Sequence, residues 1–364
     1  MTLSKALPAA FIIIGLAGTL SLVVMAAAKV LRARGSDAAG ALFAPYRNAL
    51  IVMASGEDDD GHAKVALSSV GALTWACLRP KVLSLLPKVR GGAAEDLSDL
   101  LRLHGDIDNA QGMLTARSAV RRARAAYLLG LVRDPENVLI VMPLLRDPDA
   151  DVRRVAARAL GFIADPSAAS GILDAVRTQQ GRIGLPDWVA AEALLAMGAG
   201  ITEALKDGLT SLDHGVRSVC VMVAGYGTFA SVVPELRILL ATDTEPDVRA
   251  GATVALGLIG SADDVATLAW LTHASETTVL RRSAATALGD LGSPEGLETL
   301  LGLLGDADSR LAQLAADSMV TIGSEGIARL REAVYEQSAG ARVAAAALDL
   351  AGLRGRLTPV AVGA

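Results

Sequence analysis

The sequence is poor in aromatics. Only 3% of its 364 residues are Phe, Tyr or Trp, although hydrophobic residues reach 52%. The apolar mass is therefore Ala, Leu and Val. Few strands are expected, because strand-favouring aromatics are nearly absent. Small contact residues instead let helices approach closely in layers. Cysteine is scarce too. Cys77 and Cys220 lie far apart in apolar helical contexts, without metal or redox spacing. This excludes a disulfide-stapled secreted domain and leaves buried free thiols. The four histidines, His62, His104, His214 and His273, show no metal-ligand spacing. His214 reads as a loop histidine rather than a base. No glycine loop ends in Lys-Ser or Lys-Thr, and no Gly-x-Ser-x-Gly elbow is present. The Gly225-Tyr226-Gly227 run reads only as a helix end.

What is present begins with a long apolar run. From Ala9 to Ala28 no residue is charged, and only Thr19 and Ser21 are polar. At about 1.5 Å per residue this run spans roughly 30 Å, the thickness of a bilayer core. A cleaved signal peptide has a shorter core, although Ala26-Ala27-Ala28 resembles a cleavage site. Lys29, Arg32 and Arg34 follow directly and oppose translocation of what comes after. The expectation is an uncleaved transmembrane helix over residues 8–31. The C-terminal mass would then face the cytoplasm, as a single-pass protein.

Charge is unevenly spread. Residues 1–160 hold 20 Lys+Arg against 15 Asp+Glu, and residues 161–364 hold 14 against 24. The basic half adjoins the apolar run, as an anionic inner leaflet favours. Residues 35–62 read as a linker with some local helix, and Glu57–Gly61 as an acidic solvated turn without calcium-loop spacing.

The strongest signal is internal repetition. Asp151–Ile163, Asp247–Gly260 and Leu280–Gly292 share one pattern: an apolar opening, an Arg, an Ala-rich helix and a Leu-Gly pair. Aligned on that glycine, copies fall at 130, 161, 195, 225, 257, 289, 320 and 352, a period near 32. Positions 195 and 320 are Leu and Val. Helices of three- and four-residue apolar spacing lie between, as over Asn137–Leu145, Ala168–Val176 and Val232–Leu240. Asp147-Pro148-Asp149, Asp165-Pro166-Ser167 and Ser293-Pro294 supply caps and first-turn prolines. Each unit is a helix hairpin that buries its apolar face only against neighbours. Residues 63–116 also read as helical, with Val65–Leu78 and Leu97–Leu103 as candidate elements.

The Asp-Val-Arg triplets at 151–153 and 247–249, Gly215-Val216-Arg217, Leu280-Arg281 and the Ala-Leu-Gly triplets at 159–161, 255–257 and 287–289 carry a resemblance. The chain resembles the HEAT-repeat family, in its short bacterial type related to phycobilisome lyases. The resemblance covers about residues 117–355. The expected fold is all-α: an α-solenoid of HEAT-like helix hairpins preceded by one transmembrane helix. Residues 1–7 would form a short tail, 8–31 the membrane helix, 32–62 a linker, 63–116 a helical cap, 117–355 the repeats and 356–364 a C-terminal tail.

In such arrays the second helix of each hairpin lines the concave face. Here it carries Arg122, Arg153, Arg217, Arg249 and Arg281. One reading makes them a ladder, each bonded to an Asp or a carbonyl at a neighbouring turn. Asp149, Asp151, Asp213, Asp247 and Asp308 are the candidate partners. The other reading is ligand binding. A basic cluster on the first two such helices, Arg121, Arg124, Arg154 and Arg158, together with Trp188 beside the longest repeat's insertion, forms a candidate partner-binding site. Trp75, Trp188 and Trp270 otherwise read as core or groove anchors.

No histidine is followed by Glu, so the His-Glu pairs of di-iron HEAT hydroxylases are absent. The acidic C-terminal half excludes nucleic acid as a partner. No catalytic residue, metal, cofactor or small-molecule substrate is expected. The resemblance implies a non-enzymatic scaffold or accessory subunit holding a protein partner. That partner would be an integral membrane protein, such as a glycosyltransferase of envelope polysaccharide assembly. The alternative is a bilin-lyase-like or isomerase-like enzyme with a small-molecule pocket in the solenoid.

Overall fold

A computed structural model describes residues 40–177 and 184–357. The expected membrane helix at 8–31 lies outside the described residues. Among those described, no helix is long and apolar enough to cross a membrane. The chain divides into two compact units at Met113 and Leu114.

The first unit contains α1 (Arg47–Ser55), α2 (His62–Ser68), α3 (Ala72–Leu85), α4 (Gly92–Leu103) and α5 (Asp106–Met113). Two of them replace the single helix expected over Val65–Leu78. Gly71, in extended backbone, caps α3 and breaks the run. The acidic turn starts a helix, since the Asp58 carboxylate accepts from the N–H groups of Ala63 and Lys64 in the first turn of α2. Met53, Leu67, Leu78, Leu97 and Leu100 form the core. Trp75 is buried with them. It donates its indole N–H to Asp106 at 2.7 Å and stacks on His104 at 3.9 Å. The core-anchor reading holds for this tryptophan.

The second unit alternates first and second helices of hairpins. The second helices are α6 (Ala119–Val132), α8 (Ala150–Ile163), α10 (Asp187–Ala196), α12 (His214–Tyr226), α14 (Pro246–Ile259), α16 (Thr278–Leu291), α18 (Ser309–Ile322) and α20 (Ala341–Leu357). The first helices are α7 (Val138–Val141), α9 (Ala169–Val176), α11 (Thr202–Leu209), α13 (Val233–Thr242), α15 (Ala262–Trp270), α17 (Pro294–Leu303) and α19 (Ser324–Tyr335). Helix α7 is shorter than expected because Pro143 turns its continuation into a 3₁₀ segment, Met142–Arg146. Asp149, Asp213, Thr277 and Asp308 cap second helices, while Ser261 and Ser293 cap first helices.

The Ala-Leu-Gly triplet explains how hairpins stack. Its leucine (Leu160, Leu256, Leu288) is buried in its own repeat. Its glycine meets the backbone of the next second helix. A Cβ added at Gly130 would lie 2.5 Å from the Cα of Ala159; at Gly161, 2.8 Å from that of Ala193; at Gly225, 3.0 Å from that of Ala255; and at Gly257, 2.5 Å from that of Ala287. Gly289 meets Ser318 in the same way. The meeting residue is always two places before the next repeat's glycine position. One triplet therefore serves two interfaces, its alanine facing backward and its glycine forward. By repeat register the corresponding positions are Leu195 and Val223 between α10 and α12, and Val320 and the half-exposed Leu350 between α18 and α20.

Candidate protein-interaction site

The second helices carry two sets of arginines that the sequence could not separate. One set is structural. Arg122 grips Asp147 through two bonds of 2.7 Å and donates to the Ala116 carbonyl. Arg217 grips Asp243 at 2.7 and 2.9 Å and donates to the Ser211 carbonyl. Arg281 reaches Asp306 and the Thr272 carbonyl. Arg153 donates to the carbonyls of Asp147 and Pro148. Each of these ties its own turn, and three of them also tie the turn of the next repeat, which makes the ladder.

The expected acidic partners need correction. Asp149, Asp213 and Asp308 point their carboxylates at helix N-termini as caps, and Asp151 pairs with Arg154. Asp247 sits in the first turn of α14. The rung acids lie two residues before the helix N-cap, at Asp147, Asp243 and Asp306. Asp308 does have an arginine partner, but it is Arg282 at 2.8 and 2.9 Å. Burial by itself raises the carboxyls of Asp147 and Asp243. Their arginines and a backbone N–H outweigh it and hold both below the usual carboxylate range. The Arg282 guanidinium holds Asp308 down to about 2.

The second set lies on the open face of the same helices. Arg121 and Arg124 are exposed on α6, Arg154 is half-buried on α8 and Arg158 is exposed beside it. The structure joins Arg158 to Trp188: the guanidinium lies 5.2 Å over the indole ring and 3.5 Å from Glu192. Trp188 itself is 55% exposed. The insertion preceding it, residues 178–183, is outside the described residues.

Sequence reading missed the aromatic component of this face. Tyr127 packs edge-on against the half-buried Phe162 at 6.1 Å, and Tyr226 and Leu258 are exposed on α12 and α14. In repeat register these residues fall three or seven places before the glycine position, or one place after it. Four of the chain's few aromatics, Tyr127, Phe162, Trp188 and Tyr226, thus occupy one face of four successive second helices. The signal that could have found them was this register. Further along, the same positions hold Asp290 and Asp317. Arg282 shares this register with Asp290 on α16, so the face passes from basic and aromatic, through apolar, to mixed charge.

The other cysteine and histidine candidates do not join this face. Cys220 is buried and its thiol is pushed up to about 12 by burial, which makes it inert. His214 opens α12, exposed. Among the described residues, no group of three or more His, Cys, Asp or Glu side chains could hold a metal ion.

Comparison with known proteins gives one family. The family described as HEAT repeats matches residues 108–198, 202–280 and 265–351. No sequence among the curated proteins matches this chain. Solved structures of similar fold include YibA of E. coli, at 15% identity over 73% of this chain and 97% of that one, with a TM-score of 0.41. The complex of CpcE and CpcF of phycocyanin lyase from Nostoc sp. matches at 20% identity over 67% of this chain and 94% of that chain, TM-score 0.31. Human deoxyhypusine hydroxylase in complex with glycerol matches at 18% identity over 85% and 98%, TM-score 0.28.

Proposed function

Because the chain belongs to the HEAT-repeat family, we propose that it is a non-enzymatic scaffold that holds a protein partner on the open face of its second helices. The observation that carries this reading is the row Tyr127, Phe162, Trp188 and Tyr226 beside Arg121, Arg124, Arg154 and Arg158. Aromatic and arginine side chains are the residues that dominate protein interfaces. Here they are held at the surface in a chain that has few aromatics to spend. Arg122, Arg153, Arg217 and Arg281 are committed to neighbouring turns, whereas Arg121 and Arg124 are exposed and Arg154 and Arg158 hold only surface pairs with Asp151 and Glu192. We place the scaffold on a membrane through residues 8–31, with the solenoid in the cytoplasm. An integral membrane protein is the matching partner, a glycosyltransferase of envelope assembly being the kind that the resemblance suggests.

Affinity purification of the intact chain from membranes tests this. A co-purifying membrane protein is expected with the wild type. It should be lost from an Arg121→Glu, Arg124→Glu, Trp188→Ala variant that melts normally. Equal recovery by both would remove the open face as the site. Fusing a reporter after Ala364 tests the topology separately. Activity in the cytoplasm is expected, and extracytoplasmic activity would overturn the orientation.

A further inference from the structure

One ladder arginine, Arg249, lacks its rung aspartate, and a cleft opens beside it. Three rungs obey one rule: the arginine eight places before the glycine position grips an aspartate 25 or 26 residues later. For Arg249 those places are Ala274 and Ser275, and neither has a carboxylate. The next residue, Glu276, forms an ion pair with Arg249 at 3.9 Å but no hydrogen bond. Arg249 keeps its Nε bond to the Leu240 carbonyl at 3.0 Å, as Arg281 keeps its bond to Thr272. Its terminal amino groups, at least one of which holds the rung aspartate in each sibling, lack that partner. Beside it lies a cleft of about 600 Å³ between α13 and α15. Leu240, Leu256 and Leu271 line it, and Trp270, 54% exposed, stands at its mouth. Arg237 is not available to a ligand, since it grips Asp264 at 2.7 and 3.0 Å.

We propose that this cleft binds a single carboxylate carried on a flat apolar body. The ligand carboxylate takes the place of the missing rung aspartate on Arg249, and its body lies on the leucines against Trp270. The chemistry is that of the sibling rungs, a guanidinium fork closed by two carboxylate oxygens. The volume suits a small molecule, as such pockets measure about 300–1,000 Å³. Asp263 and Glu276 border the same cleft. They repel a second negative charge, which selects a monocarboxylate over a phosphate or a dicarboxylate. The proposal is independent of the aromatic face on the second helices, and each can fail alone.

The test titrates the intact protein calorimetrically with 2-naphthoate, its uncharged analogue 2-naphthamide and inorganic phosphate. Binding of the acid at one site is expected, with the amide and phosphate weaker by about tenfold or more. Ser275→Asp supplies the absent rung from within the chain. It should raise the melting temperature and abolish naphthoate binding together, a pairing that no purely structural role of Arg249 produces. Arg249→Lys, which keeps the charge but not the fork, should weaken the acid by about tenfold. It serves equally if the first variant folds poorly. Equal binding of acid and amide, unchanged binding by either variant, or no binding by the wild type would overturn the proposal.

Discussion

At the scale of the residue, position within the turn decides what an acid does. In Asp147-Pro148-Asp149, Asp243-Thr244-Glu245 and Asp306-Ala307-Asp308 the first acid closes a rung with the preceding repeat. In the first and third of these turns the second acid caps the next helix. Arg217→Ala would strand Asp243, whose side chain is only 2% exposed, at a cost of about 1–3 kcal/mol. Arg121→Ala and Arg124→Ala, on the open face, should each change stability by within about 0.5 kcal/mol. Urea unfolding of the three variants checks the contrast. The arginine-held acids also set an acid limit. Asp147, Asp243 and Asp308 titrate lower in the fold than the ordinary carboxylate value near ~3.9. Their contribution is complete above that value and is lost as pH falls through the folded values, about 2 for Asp308. Melting temperature should be level from about pH 7 to 5 and fall below about pH 4. Asp243→Asn should start lower and lose less over the same range.

At the scale of the element, the glycine of the triplet acts through the space it leaves. Gly257 is where α14 meets α16, and a side chain there would enter the backbone of Ala287. Gly257→Val should cost about 1–3 kcal/mol through forced separation of the helices. Gly302, in α17, has open space where its Cβ would stand. Gly302→Ala should therefore stabilise by about 0.5 kcal/mol, because alanine is the better helix former. Thermal melts of the pair would show opposite signs. Equal losses would mean that chain propensity rather than approach distance explains the triplet.

At the scale of the whole molecule, stability of a repeat array is a sum over neighbouring interfaces. The interface between α10 and α12, like that between α18 and α20, departs from the others in two ways. Leu195 and Val223 replace the glycine and its small partner, and Asp187 stands where the ladder has an arginine. The family matches also part here, between residues 198 and 202. Hydrogen exchange should find α10 and α11 less protected than α14 and α16, where Gly257 and Ala287 close the gap. Uniform protection across these four helices would show that the bulkier pair packs as well as the smaller one.

The sequence by itself determined the repeat, its period near 32 and the all-α class, because one triplet recurs wherever two helices must approach closely. It also determined which arginines stand at ladder positions, since these keep a fixed distance from the glycine. It did not determine the rung partners. A rung joins residues some 25 apart, and adjacent acids such as Asp147 and Asp149 differ only in the direction their side chains take. Nor did it reveal that Val65–Leu78 is two helices, because Gly71 can continue a helix or cap one. The union of Arg158 with Trp188 and the cleft beside Arg249 were decided by tertiary structure alone. Each depends on the lateral offset between neighbouring hairpins, which stacking fixes and no single repeat contains.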